Sequence, residues 1–202
     1  LTETEGAIRI DTNPEDYSLT SQWYSAQSGQ FSATRVFGVY EDLLGNEWIL
    51  SVNGLGMLTA GQTTPTSYFV DAAEREKKGG QAFYSCLEYN SEIYFGSDNG
   101  RVWCYQKENG QFQLQNLPAS SRIVSINSVE GNELIFTTAK DGFFSYQPKT
   151  KAIEHFPASR FPNASIHSVY VDKASEVWFE QHIPGTVVHF NPRTRILKQE
   201  KV

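Results

Sequence analysis

The chain has 202 residues, a formal net charge of −6 and two cysteines, a length that suits one large all-β domain. Its acidic balance and the lack of a basic stripe argue against nucleic acid as a partner. No apolar run approaches the ~20 residues of a membrane span, and no signal peptide is read, so any such segment is expected to lie outside this sequence or to have been removed.

Residues 6–11 and 19–24 each read as a short strand. A stronger signal follows in residues 39–51, Val-Tyr-Glu-Asp-Leu-Leu-Gly-Asn-Glu-Trp-Ile-Leu-Ser. Apolar and β-branched residues flank a turn at Leu44, Gly45 and Asn46, where Gly and Asn are expected to accept positive φ. The pattern recurs at residues 86–97, 126–138 and 169–180. Aligned on the large apolar residue after each turn, the positions are Trp48, Tyr94, Ile135 and Trp178, spaced by 46, 41 and 43 residues. An acid precedes each of them: Glu47, Glu92, Glu133 and Glu176.

A second polar turn follows each copy and ends in Gly54, Gly100, Gly142 or Gly185. A third strand begins there. In the last two copies a Pro-containing turn comes next, Gln-Pro-Lys-Thr-Lys at 147–151 and Asn-Pro-Arg-Thr-Arg at 191–195, with Pro presetting φ at the first central position. A short outer strand closes the unit.

Four antiparallel strands in roughly 40–45 residues make one propeller blade. Such a sheet must bury both faces against stacked neighbours. A sandwich of meandering strands would share the strand lengths but has no reason to repeat its turn chemistry. Residues 6–11 resemble the third strand at 142–147 and residues 19–24 the outer strand at 152–156, so the chain is expected to open halfway through a blade. The division is 1–30 as the second half of a preceding blade, then blades at 31–78, 79–119, 120–162 and 163–202. Four and a half blades leave open sheet edges. The chain is therefore expected to be a segment of a longer propeller, with the joining of two copies as the alternative.

Residues 60–81 read as an irregular stretch carrying a charged run at 71–80. They are read as a solvated surface loop, with a lip over the binding face or a contact to a partner domain as the alternative. Asn163 and Ser165 fit a glycosylation pattern, read as a chance match. Cys86 falls on an innermost strand and Cys104 on a third strand. They are not neighbours, so buried thiols are expected instead of a disulfide, and the compartment is left undecided.

The segment from Val39 to Ile49 with the following Gly54 and Leu55 resembles the two-component regulator propeller repeat. So do the segment from Val169 to Phe179 and the turn at 190–194. In the middle copies the aspartate before the turn is absent, and Tyr94 and Ile135 replace the tryptophan. The resemblance implies a periplasmic sensor region of a Bacteroides-type hybrid two-component system, with paired propellers often of seven blades. It implies an oligosaccharide ligand, the rest of the sensor polypeptide and a second copy of the chain as partners, and transcription controlled through a histidine kinase and phosphorelay. None of the kinase parts is in these residues.

No catalytic constellation, cofactor motif or metal-spaced cluster is read. His155, His167, His182 and His189 do not pair on one strand face, and His189 is expected to be packed or at the surface. Asp42 and Asp172 are read as bonding the turn backbone. Trp48 and Trp178 are read as packing between blades, and Trp23 and Trp103 as core fillers. Propellers bind ligands at one mouth of the central channel, built from the segments entering each inner strand and the turns between second and third strands. The entering segments supply Arg35, Arg122 and His167. The turns supply Asn53, Asp98, Asn99, Lys140, Asp141 and His182. Such converging polar groups suit a sugar or uronate, and Arg35 and Arg122 suit an anionic one. The recurrent acids are assigned to turns and outward strand positions, away from the paired-carboxylate geometry of a glycosidase. A polysaccharide lyase or glycosidase and a protein-interaction scaffold are the alternatives to a sensing module.

Overall fold

The computed structural model describes residues 35–62, 65–69, 82–130, 132–161, 166, 168–180 and 185–201. The expected half-blade at 1–30, the charged run at 71–80, Trp23, His167, His182 and the pattern at Asn163 lie outside the described residues.

Among the described residues, sixteen strands form four four-stranded antiparallel sheets, each built from consecutive strands. The first holds β1 (Val36–Glu41), β2 (Glu47–Ser51), β3 (Gly54–Leu58) and β4 (Thr66–Tyr68). The second holds β5 (Phe83–Tyr89), β6 (Glu92–Ser97), β7 (Val102–Gln106) and β8 (Gln111–Gln115). The third holds β9 (Ile123–Val129), β10 (Glu133–Thr138), β11 (Phe143–Gln147) and β12 (Ala152–Phe156). The fourth holds β13 (Ser168–Val171), β14 (Val177–Glu180), β15 (Thr186–Asn191) and β16 (Ile196–Lys201). The stretch read as irregular from 60 onward contains β4, whose Thr66, Ser67 and Tyr68 pair with Met57, Gly56 and Leu55. A strand of three residues carries too little periodicity to be read from sequence.

The first hairpin shows why the recurring motif folds as it does. Gly45 takes φ +77°, while Asn46 does not adopt the positive φ expected of it. Asn46 instead reaches the Asp42 carboxylate with its own N–H (3.0 Å) and its amide. Asp42 also accepts from Leu44 N–H at 2.9 Å and from the Trp48 indole N–H at 3.1 Å. Asp172 repeats the arrangement with Ala174, Glu176 and the Trp178 indole at 2.8, 2.9 and 2.9 Å. Burial pushes the Asp42 carboxyl up, but the bonds it accepts outweigh this and hold it below its ordinary value. In Asp172 the Trp178 bond leads the same downward shift.

The tryptophans pack against their own sheets: Trp48 stacks on Tyr68 at 5.9 Å and Trp178 on His189 at 4.6 Å. Trp103 is buried and His189 is packed, as expected of them. Cys86 and Cys104 are free thiols, each pushed up to about 12 by burial.

The chain divides into two compact units, Leu1–Phe83 and Tyr84–Val202. In the first, Trp48, Ile49 and Leu55 have no exposed surface. In the second, β10 is buried along its whole length because its alternating side chains serve two cores. Leu134 and Phe136 join Tyr94, Val102 and Cys104 of the second sheet in one cluster. Ile135 joins Val177, Phe179, Val188 and Phe190 of the fourth sheet in another. Phe143 stacks on Phe156 at 4.5 Å and on Phe179 at 5.0 Å. Burying each such side chain contributes roughly 1.5–3 kcal/mol, and neither face of the third sheet could be covered by its own strands.

Candidate functional site

Within each sheet, the described mouth residues Arg35, Asn53, Asp98, Asn99, Arg122, Lys140 and Asp141 lie where the antiparallel meander brings the second-to-third turn and the entering segment to one sheet end. In the first unit, the Arg35 carbonyl accepts from Val52 N–H at 3.0 Å, which sets Arg35 beside the turn holding Asn53. The Arg35 guanidinium lies 5.2 Å from the Phe37 ring centroid. Ser51 Oγ donates to the Gly54 carbonyl (3.0 Å) and accepts from Asn53 N–H (3.1 Å), fixing the turn.

The second unit repeats this plan. The Arg122 carbonyl accepts from Ala139 N–H at 2.9 Å, and its guanidinium lies 4.8 Å from the ring of Tyr84. Thr138 Oγ1 donates to the Gly142 carbonyl and accepts from Asp141 N–H, at 2.9 and 2.8 Å. Gly142 sits at φ +88°, and a Cβ there would collide with the Phe156 carbonyl and lie 2.8 Å from Ala158 N, so only glycine fits. Asp98 and Asn99 occupy the corresponding turn of the second sheet.

Asp141 and Lys140 share a turn with different commitments. The Asp141 carboxylate accepts from Ser120 N–H and Oγ (2.9 and 3.0 Å) and from Ser121 N–H and Oγ (2.8 Å each). Burial raises its pKa, and these bonds more than reverse the effect. Asp141 thus holds the entering segment to the turn, while Arg122, Lys140 and Asn99 are exposed. Tyr84, Ser120 and Ser121 escaped sequence reading. A Ser pair just before an entering arginine was the available signal.

The recurrent acids are not at outward positions. Glu47 and Glu133 are buried, and Glu133 accepts from Ser145 Oγ and, at 2.6 Å, from Arg195. Glu92 accepts from Tyr94 Oη at 2.6 Å, and Glu176 from Asn191 at 2.7 Å. Each begins or precedes a second strand; Glu92 and Glu176 find partners within their own blades, and Glu133 reaches Arg195 of the next blade, which a strand-alternation argument does not see.

The opposite end of the second and third sheets carries a cleft of about 450 Å³, lined by the turns at 90–92, 106–109 and 148–151. None of the predicted residues borders it. Among the described residues, no group of three or more His, Cys, Asp or Glu could hold a metal ion.

No family model matches the sequence, and no curated protein matches it. Solved structures do. The extracellular domain assigned to the hybrid two-component system BT4673 of B. thetaiotaomicron is similar over 98% of this chain, with TM-score 0.75 and 17% identity. The WD40 β-propeller domain of Doa1 is similar over 74% of this chain and 49% of its own, with TM-score 0.58 and 9% identity. This chain has a β-propeller fold. Its four described sheets are propeller blades. Virginiamycin B lyase from Staphylococcus aureus matches this propeller over 83% of the chain and 56% of its own, with TM-score 0.66 and 18% identity. The chain spans 28% of the BT4673 domain. No helix among the described residues is long and apolar enough to cross a membrane.

Proposed function

We propose that the chain is part of the periplasmic ligand-sensing region of a hybrid two-component sensor histidine kinase. It binds a glycan-derived ligand at the channel mouth and biases a phosphorelay that controls transcription. The observation that carries this reading is the likeness over 98% of the chain to an extracellular domain of a hybrid two-component system, together with the Asp42–Trp48 and Asp172–Trp178 turns that match the regulator-propeller repeat. The exposed guanidinium of Arg122, backed by Tyr84, supplies a planar donor for a carboxylate or sulfate.

Calorimetry of the full-length protein against a panel of plant and host oligosaccharides tests it. One oligosaccharide is expected to bind, Arg122→Ala to weaken that binding about tenfold, and the same sugar to induce a transcriptional reporter. Absence of a histidine kinase from the full-length polypeptide would sink the reading. The likeness to virginiamycin B lyase favours a second reading, a propeller lyase, which release of unsaturated product from a polysaccharide would establish.

A further inference from the structure

The two blade junctions of the second unit place related residues in unlike settings. The turns at 148–151 and 192–195 have the same frame. Lys151 N–H donates to the Gln147 carbonyl at 2.8 Å, and Arg195 N–H to the Asn191 carbonyl at 2.9 Å. Both residues adopt φ +59°. Lys151 is therefore the counterpart of Arg195, and Lys149 of Arg193.

At the junction of the third and fourth blades the basic side chains are neutralised. Arg195 bonds Glu133 (2.6 Å), Glu154 (2.5 Å) and Ser145 (2.8 Å) while lying over Phe156 and Phe190. Arg193 bonds Glu130 through Nε at 2.7 Å. At the junction of the second and third blades they are not. The turn between β5 and β6 is one residue shorter than that between β9 and β10 and holds no acid in the place of Glu130, while the Tyr89 hydroxyl donates to Asn132 at 2.8 Å. Lys149 makes no ion pair among the described residues. Lys151 is shorter than arginine, and its ammonium lies 5.8 Å from the Tyr146 ring centroid. At this junction Lys149 and Lys151 line the cleft of about 450 Å³, a size within the ~300–1,000 Å³ of ligand sites.

The cleft wall is polar. Lys107, Lys149 and Lys151 face Glu92 and Glu108, with amides from Asn90, Gln106 and Asn109 between them. Lys107 is paired with Glu88, and Glu92 with the Tyr94 hydroxyl. Lys149 thus stands without an ion-pair partner among the described residues, and Lys151, bonded to the Tyr146 hydroxyl with the Glu92 charge nearby, lies beside amides that can both donate and accept.

We propose that this inter-blade cleft, at the blade end opposite the channel mouth, binds a small hydroxyl-rich anion, a sugar bearing a carboxylate or sulfate. Lys149 and Lys151 take the anionic group, and Asn90, Gln106 and Asn109 take the hydroxyls.

Calorimetry on the full-length protein with glucuronate, glucose 6-sulfate and glucose is the test. The anions are expected to bind at least about tenfold more tightly than glucose. Which anion prevails identifies the headgroup. Lys149→Gln is expected to remove most of that preference. Lys149→Glu, which reverses the charge at this position, should abolish it. Lys198→Gln, on the exposed outer strand of the fourth blade, should leave it unchanged. Equal binding of anions and glucose would overturn the proposal, as would loss of binding in Arg122→Ala with none in Lys149→Gln. An oligosaccharide indifferent to Arg122→Ala sinks only the mouth reading.

Discussion

The two blade junctions of the second unit share a backbone frame and differ in how it is finished. Between the third and fourth blades, Arg195 and Arg193 find Glu133, Glu154 and Glu130, and the seam is closed. Between the second and third, lysines take the places of the arginines, the turn before β6 holds no acid, and a cleft remains. The apolar layer beneath is continuous in both. Hydrophobic burial therefore assembles the blades, and the polar rim decides whether a seam is sealed.

This contrast predicts its own hierarchy of effects. Arg195→Ala strands the buried Glu133 carboxylate. It is expected to cost about 2–3 kcal/mol in chemical denaturation, below the ~3–5 of a fully buried pair because the guanidinium is 32% exposed. Glu133→Gln should cost about 1–2 kcal/mol, since Arg195 keeps Glu154. Lys151→Ala, at the open seam, should cost under about 1 kcal/mol. A loss equal to that of Arg195→Ala would erase the distinction between the junctions. Arg193→Ala removes an exposed pair and should fall within about 0–1 kcal/mol, shrinking further in salt.

The smallest expected effect is on pH dependence. Asp42, Asp141 and Asp172 have folded pKa values below their unfolded ones. Their stabilisation is present above the unfolded value of ~3.9 and lost as pH falls through the folded value. Denaturation midpoints should not respond to these groups between about pH 5 and 8. Asp141→Asn should flatten the acid limb, and an unchanged limb would exclude Asp141 from it.

Local turn chemistry made most of the architecture legible. Gly54, Gly100, Gly142 and Gly185 mark one sheet end in every repeat, and all take positive φ. Asp42 and Asp172 were readable as turn residues because their backbone partners lie within four positions. The seams were not readable. Glu133 meets Arg195 across 62 residues, and no local period reports that pairing. The difference between Lys-Thr-Lys and Arg-Thr-Arg stood in the repeat, but its meaning depends on whether the preceding blade offers an acid such as Glu130.

The left-handed residue that ends the turn at 148–151 or 192–195 has a further consequence. Its backbone role is the same whether lysine or arginine occupies it, and codons for the two can differ by one base. A modular ring of this design can open or close recesses one at a time by drift at such positions, leaving its framework untouched while its repertoire of guests changes.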